Sequence, residues 1–325
     1  MIPEKLLKGD VIRVISPART LSIISDDTRN LATQNLTNEL GLKVTFSKYA
    51  NDLDDFMSTS IEKRVEDLHE AFLDKNVKAV ITSIGGFNCN QLLSYIDYSI
   101  IKNNPKIFCG YSDITAISNA IFKKSDLVTY YGPHFSTFGM KKGLDYTTEY
   151  FNKCLMLTSP YRIDSSKYWS DDEWYINQEK RFFIKNSGCK IINKGIARGQ
   201  LVGGNLSTFN LLQGTQYMPD LKNKVVFLED CDLSSPEVFD RQLQSVIHQA
   251  NFSEVRALLL GRFQRKSNMK YEYIYKILKT KRELNNIPVI IDLDFGHTTP
   301  TISLPIGGVI DIKASNTVEI EVLKH

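Results

Sequence analysis

Between residues 9 and 131 the chain alternates between short apolar runs and segments whose apolar residues recur at helical spacing. The runs fall at 11–15, 42–46, 79–84, 106–110 and 127–131; the helical patterns fall at 26–40, 61–73, 88–95 and 114–123. Strand, helix, strand in that order closes a parallel pair, because a parallel partner needs a crossover too long for a hairpin. The pattern predicts an α/β fold with a mostly parallel sheet. Ligand sites in such sheets lie in the loops that leave the carboxyl ends of the strands. Gly85-Gly86 and Ser112 both sit at such ends.

The rest of the chain reads differently. From 141 to 190 periodicity is weak and large polar aromatics crowd in, among them Tyr161, Tyr168, Trp169, Trp174 and Tyr175. From 195 the alternation resumes, with strands at 197–202, 224–228, 257–261 and 289–291. Helices are expected at 206–212, from Ser235-Pro236 to about 248, and at 271–281. Serine before a proline in the first turn is a start signal for the second of these. Gly203-Gly204-Asn205 reads as a turn, and 307–312 with 317–322 as a terminal hairpin. At 325 residues the chain is long for one core. The expected division is an N-terminal α/β domain (1–140) with a parallel sheet, a connecting segment with an aromatic loop (141–194), and a C-terminal α/β domain (195–325) with a mixed sheet.

Composition narrows the function classes. A net charge of +3, with Lys and Arg interspersed among Asp and Glu, predicts no nucleic-acid partner. No window approaches the roughly 20 apolar residues of a membrane helix and no export signal opens the chain. The expectation is a cytoplasmic protein with no membrane association. The five cysteines include no CxxC pair, which suggests neither a zinc site nor a disulfide framework. No metal and no cofactor are expected.

Three side chains carry the chemical reading. Lys106-Ile107-Phe108-Cys109-Gly110 is a buried strand, Gly110-Tyr111-Ser112-Asp113 a tight corner, and a helix follows. A serine at such a corner is lifted clear of the sheet, although a serine before a helix is also an ordinary N-cap. As a nucleophile Ser112 needs a base and a group to orient that base. His297, in the loop Asp294-Phe295-Gly296-His297-Thr298, is the candidate base. His134, after Gly132-Pro133, could line a pocket. Glu229, ending an apolar strand, is the candidate orienting carboxylate, with Asp230 and Asp232 competing. Those acids could alternatively hold calcium or magnesium. The backbone N–H groups of Gly86 and Asp113 are candidate oxyanion donors. Trp169 and Trp174 could stack a flat substrate group or simply pack their own loop. Asn205 and Arg262 are candidate substrate contacts by placement.

These pieces, in this order, resemble the S66 serine peptidases, the LD-carboxypeptidase family. The matching residues are Gly9-Asp10, Ser16-Pro17-Ala18, Gly85-Gly86-x-Asn88, Gly110-Tyr111-Ser112-Asp113, Tyr131-Gly132-Pro133, Gly203-Gly204-Asn205-Leu206, Leu228-Glu229-Asp230 and Gly296-His297. The resemblance implies a Ser112–His297–Glu229 triad at the junction of two domains and a homodimer. The family has a branch that trims murein tetrapeptides and an MccF-like branch that cleaves a peptide-nucleotide antibiotic. Trp169-Ser170-Asp171-Asp172, Trp174 and the stretch from Gly214 to Asp220 look like the MccF-like branch. The substrate implied is then a peptidyl- or aminoacyl-nucleotide, with a murein peptide as the alternative. A non-catalytic protein holding a peptide or nucleotide in its cleft is the alternative from another class.

Overall fold

The computed structural model describes all 325 residues. In the N-terminal part the strands Lys43–Phe46, Val11–Ile15, Val77–Thr82, Ile107–Gly110 and Thr129–Tyr131 lie side by side in that order, all parallel. A second parallel set follows the order Gly195–Asn205, Lys224–Glu229, Ala257–Gly261 and Val289–Leu293. Ile107–Gly110 and Ala257–Gly261 are buried along their whole length. That is why they read as unbroken apolar runs rather than alternating ones.

The two sets fuse into one sheet of 14 strands. Leu304–Ile306 joins them, antiparallel to Thr129–Tyr131 and parallel to Gly195–Asn205. Lys190–Asn193 closes the far edge antiparallel to Val289–Leu293. The hairpin of Val309–Ala314 and Val318–Lys324 folds back on Gly195–Asn205. The fold is therefore α/β, mostly parallel in its N-terminal part and mixed beyond it.

Side chains lock the halves together where the site forms. Asn119, buried on the helix Thr115–Ser125, donates to the Gly203 carbonyl at 2.8 Å and accepts from the Gly203 N–H at 3.3 Å. The Thr115 hydroxyl accepts from the Asn205 N–H at 2.9 Å. These bonds satisfy the outer backbone groups of a strand that would otherwise be buried unpaired.

Several elements depart from the sequence expectation. Residues 88–95 form only a 3₁₀ turn, Cys89–Leu92, whose leading N–H groups, those of Asn88 and Cys89, are capped by the Asp113 carboxylate. A helix not expected, Tyr98–Asn103, starts behind an Asp97 cap. Another, Asp145–Leu155, lies in the stretch read as a connection and buries Thr147, Tyr150, Phe151, Cys154 and Leu155. Gly203-Gly204 is the end of a strand, not a turn. A β-carbon on Gly204 (φ +130°) would lie 2.5 Å from the Thr115 hydroxyl, so only glycine lets strand and helix approach this closely.

Candidate active site

Ser112 follows directly on the strand Ile107–Gly110 and the single residue Tyr111. Its backbone is left-handed, with φ +60°. A non-glycine residue in that region costs about 1–3 kcal/mol and persists only where its surroundings impose it. Helix-capping gives no account of it, since its hydroxyl faces His297 Nε2 at 3.0 Å. The 3₁₀ turn Ser112–Ile114 then hands over to the helix Thr115–Ser125.

His297 sits in the loop between Val289–Leu293 and Leu304–Ile306, and its Nδ1 lies 2.7 Å from Glu229 Oε2. Glu229 is fully buried at the end of its strand, and its other oxygen has no hydrogen-bond partner. Gly296 makes the approach possible: at φ +114°, a β-carbon there would lie 3.1 Å from Glu229 Oε2. An ionised Glu229 requires Nδ1–H as the donor. The Nε2 lone pair is then left to accept the Ser112 hydroxyl proton. Burial of His297 opposes its protonation, but the charge of Glu229 and its hydrogen bond, helped by Asp230 and Asp232, win. The imidazole is held above its ordinary pKa.

Aromatic rings floor the site. Tyr111 packs on His134 (centroids 4.2 Å apart), on His297 (5.3 Å) and on Tyr131 (5.9 Å). Tyr131 in turn meets Phe227 and Phe295 edge-on. Rings from both halves of the chain thus pack beneath one imidazole, and such pairs contribute about 0.5–1.5 kcal/mol each beyond their burial.

The other expected residues sort into two groups. A β-carbon on Gly85 would lie 3.0 Å from Ser112 Oγ, whereas one on Gly86 would meet Ala18 and Arg19. Of the two glycines, Gly85 is the one that borders the serine and lines the cleft. The carboxylate of Asp113 faces away, holding the N–H groups of Asn88 and Cys89 at 2.9 Å each. Only its main chain is placed beside the serine.

A cleft of about 790 Å³ opens over Ser112 and His297. Trp174 and Tyr175 line it, their rings 6.1 Å apart edge-to-face. The loop that carries them is tied down at both sides. Asp171 takes a forked pair from Arg265 (2.6 and 2.9 Å), and Asp172 takes Arg181 Nε at 2.8 Å. Ser170 and Thr299 exchange backbone hydrogen bonds at 2.7 Å, which fastens the loop to the segment just after His297.

Trp169, Arg262 and Asn205 are not among the residues that line the cleft. Trp169 lies over the Arg262 guanidinium, 5.0 Å from it. Arg262 is buried and donates to Asp294 (2.9 Å), Asn186 and the Asp292 carbonyl. Asn205 is a buried helix cap, accepting from the Thr208 N–H at 3.1 Å and donating to Asp230 at 3.2 Å. Asn205 and Arg262 are thus bonded to neighbouring residues of the protein, and Trp169 packs on the Arg262 guanidinium. Asp230 is likewise committed, to Ser207 at 2.8 Å. No cluster of three or more His, Cys, Asp or Glu side chains is placed to hold a metal ion. No helix is long and apolar enough to cross a membrane.

Sequence reasoning gave Gly86 the oxyanion role rather than Gly85 and assigned no site role to Arg19 or Tyr175; Gly85, Arg19 and Tyr175 all line the cleft, as His134 does. Arg19 directly follows Ser16-Pro17-Ala18 at a strand's carboxyl end, the position from which ligand sites in parallel sheets are built, so a signal was present.

Family models for the LD-carboxypeptidase N-terminal domain and C-terminal domain match residues 12–132 and 198–312. The Bacillus subtilis (strain 168) protein YocD, whose name assigns it provisionally to the carboxypeptidases, is 50% identical over 326 residues and 100% of each chain. The microcin C7 self-immunity protein MccF of Escherichia coli is 29% identical, over 97% of this chain and 94% of its own. Among solved structures, an MccF-like protein from Bacillus anthracis str. Ames superposes with a TM-score of 0.98 at 52% identity over the whole of both chains. MccF in complex with aspartyl sulfamoyl adenosine superposes with a TM-score of 0.90 at 28% identity, over 100% of this chain and 99% of that one. Matches to both halves of one peptidase, and to whole relatives from end to end, leave one assignment: the chain belongs to the S66 family of LD-carboxypeptidases and is an enzyme of the serine peptidase class.

Proposed function

We propose that Ser112, His297 and Glu229 form a catalytic triad that hydrolyses an amide-type bond in a peptidyl- or aminoacyl-nucleotide. The observation that carries this reading is the relay from Ser112 Oγ to His297 Nε2 (3.0 Å) and from His297 Nδ1 to Glu229 Oε2 (2.7 Å) at the foot of an aromatic-lined cleft. His297 takes the serine proton as Oγ attacks the carbonyl carbon. The backbone beside Ser112, at Asp113 and at Gly85-Gly86, supplies N–H groups to the developing oxyanion. His297 then passes the proton to the leaving nitrogen, and a water molecule, activated by the same imidazole, releases the acyl group. Glu229 holds the imidazole in the required tautomer and stabilises the imidazolium.

The aromatic pair Trp174 and Tyr175 supports a nucleotide on the leaving side, since base stacking on such rings is worth about 1–3 kcal/mol per base. Complexes of MccF with aminoacyl sulfamoyl nucleosides and with adenosine monophosphate support the same class. The proposed assembly is a homodimer acting in the cytoplasm. The test is direct. The protein is incubated separately with an aspartyl-adenylate phosphoramidate and with a murein tetrapeptide, and the products are weighed by mass spectrometry. Release of the nucleotide supports the proposal. Release of D-alanine from the tetrapeptide alone would transfer the enzyme to cell-wall peptide trimming, and no release from either would remove both substrate classes.

A further inference from the structure

Three cations line the cleft besides its histidines: Arg19, Arg265 and Lys266. Arg265 is paired with Asp171 and Lys266 with Asp232. Arg19 has no acidic partner in the protein. Its one side-chain hydrogen bond runs from Nε to the Gly85 carbonyl at 3.2 Å, leaving both terminal guanidinium nitrogens free. The same Gly85 also borders the nucleophile. The position its β-carbon would take lies 3.0 Å from Ser112 Oγ and 3.5 Å from His134 Nε2. His134 is buried in the cleft wall, held by Thr82 Oγ1 at 2.7 Å from Nδ1, and its Nε2 has no hydrogen-bond partner. An open guanidinium fork anchored on the Gly85 carbonyl and an orphaned imidazole nitrogen beside the same glycine therefore line one cleft with the serine.

We infer that Arg19 and His134 form a carboxylate subsite, binding an acidic group that the substrate carries next to the scissile carbonyl. A planar guanidinium anchored at Nε presents its other nitrogens to both oxygens of a carboxylate. In the tautomer in which the Thr82 hydroxyl donates to Nδ1 (2.7 Å) rather than to the Cys109 carbonyl (3.4 Å), Nε2 carries the hydrogen and donates to the carboxylate. Burial, the neighbouring His297 and Arg19 together keep His134 neutral, its pKa well below the ordinary value, so it recognises without adding charge. The carboxylate has two chemical sources: the side chain of the acyl residue, or the free C-terminus of the residue released. The inference rests on the proposed reaction at Ser112 only for the location of the scissile bond.

The test uses two matched ligand pairs, aspartyl against asparaginyl sulfamoyl adenosine, and an acetylated L,D-dipeptide ending in D-alanine against its amide. Binding is measured by calorimetry in the Ser112→Ala protein with Arg19 intact, with Arg19→Gln and with Arg19→Lys, thermal melts confirming folding. The acid is expected to bind at least tenfold tighter than its neutral twin in one pair. Arg19→Gln is expected to reduce that preference below threefold, and Arg19→Lys to retain part of it. The pair that responds names the source. A preference untouched by Arg19→Gln, or no preference in either pair, overturns the subsite. Hydrolysis by the Ser112 protein is read separately. A subsite that discriminates in a protein that cleaves neither substrate would keep this inference and remove the reaction.

Discussion

A left-handed serine bonded to a histidine makes sharp demands on single residues. Ser112→Ala is expected to lower kcat by on the order of 10⁶ while ligand affinity and the circular-dichroism spectrum stay unchanged. A variant within tenfold of the parent would remove Ser112 as nucleophile. Glu229→Gln takes away the charge that holds the His297 pKa up and the acceptor that fixes its tautomer. It should cost about 10³–10⁴ in kcat. The base works only when neutral, so kcat/KM falls as pH drops through its pKa. With Glu229 present that acidic limb lies above the ordinary histidine value of about 6.5, and Glu229→Gln should move it to lower pH. A limb that stays in place would mean that another group controls it. Ser112 and His297 were legible as candidates because each sits in a loop at a strand end. Among three nearby acids the sequence put Glu229 first, at the end of an apolar strand, with Asp230 and Asp232 as competitors. Strand geometry separates the first two: consecutive side chains point to opposite faces, so Glu229 turns to His297 while Asp230 turns to Ser207 and Asn205.

At the level of elements, Asn119 is the clearest joint between the halves. Asn119→Ala leaves the buried N–H and C=O of Gly203 without these partners, which should destabilise the protein by about 2–4 kcal/mol. Urea denaturation measures this directly, and a loss under about 1 kcal/mol would show that water or a neighbour replaces the amide. The strands and longer helices were readable because burial imposes unbroken apolar runs and 3.6-residue spacing imposes stripes. The helix Asp145–Leu155 carries such a stripe, but its window blends into the aromatic loop that follows. At Cys89–Leu92 the first N–H groups are capped by Asp113, a residue from the following crossover, and no local pattern records that contact.

Across the whole molecule, the cleft exists because loops from both parallel sets and from the 160–190 segment meet over one sheet. Trp174→Ala should raise KM for a nucleotide substrate about tenfold or more, with little change in kcat and none toward a murein peptide. Equal losses on both substrates would remove the stacking role. Arg265→Gln releases one tether of the same loop. It should raise that KM several-fold, yet the Asp171 carboxylate keeps the backbone N–H of residue 265 at 2.7 Å, so the melting temperature should barely move. The sequence by itself determined the α/β class, the two stretches of strand and helix and the loops able to carry chemistry, since local spacing and burial set those. The tertiary structure alone decided the distances at which Glu229 meets the imidazole, that Asn205 and Arg262 are bonded within the protein, and that Arg19 lines the cleft without an acidic partner. Each of these depends on groups brought together from far along the chain, and no spacing within a segment encodes a distance between segments.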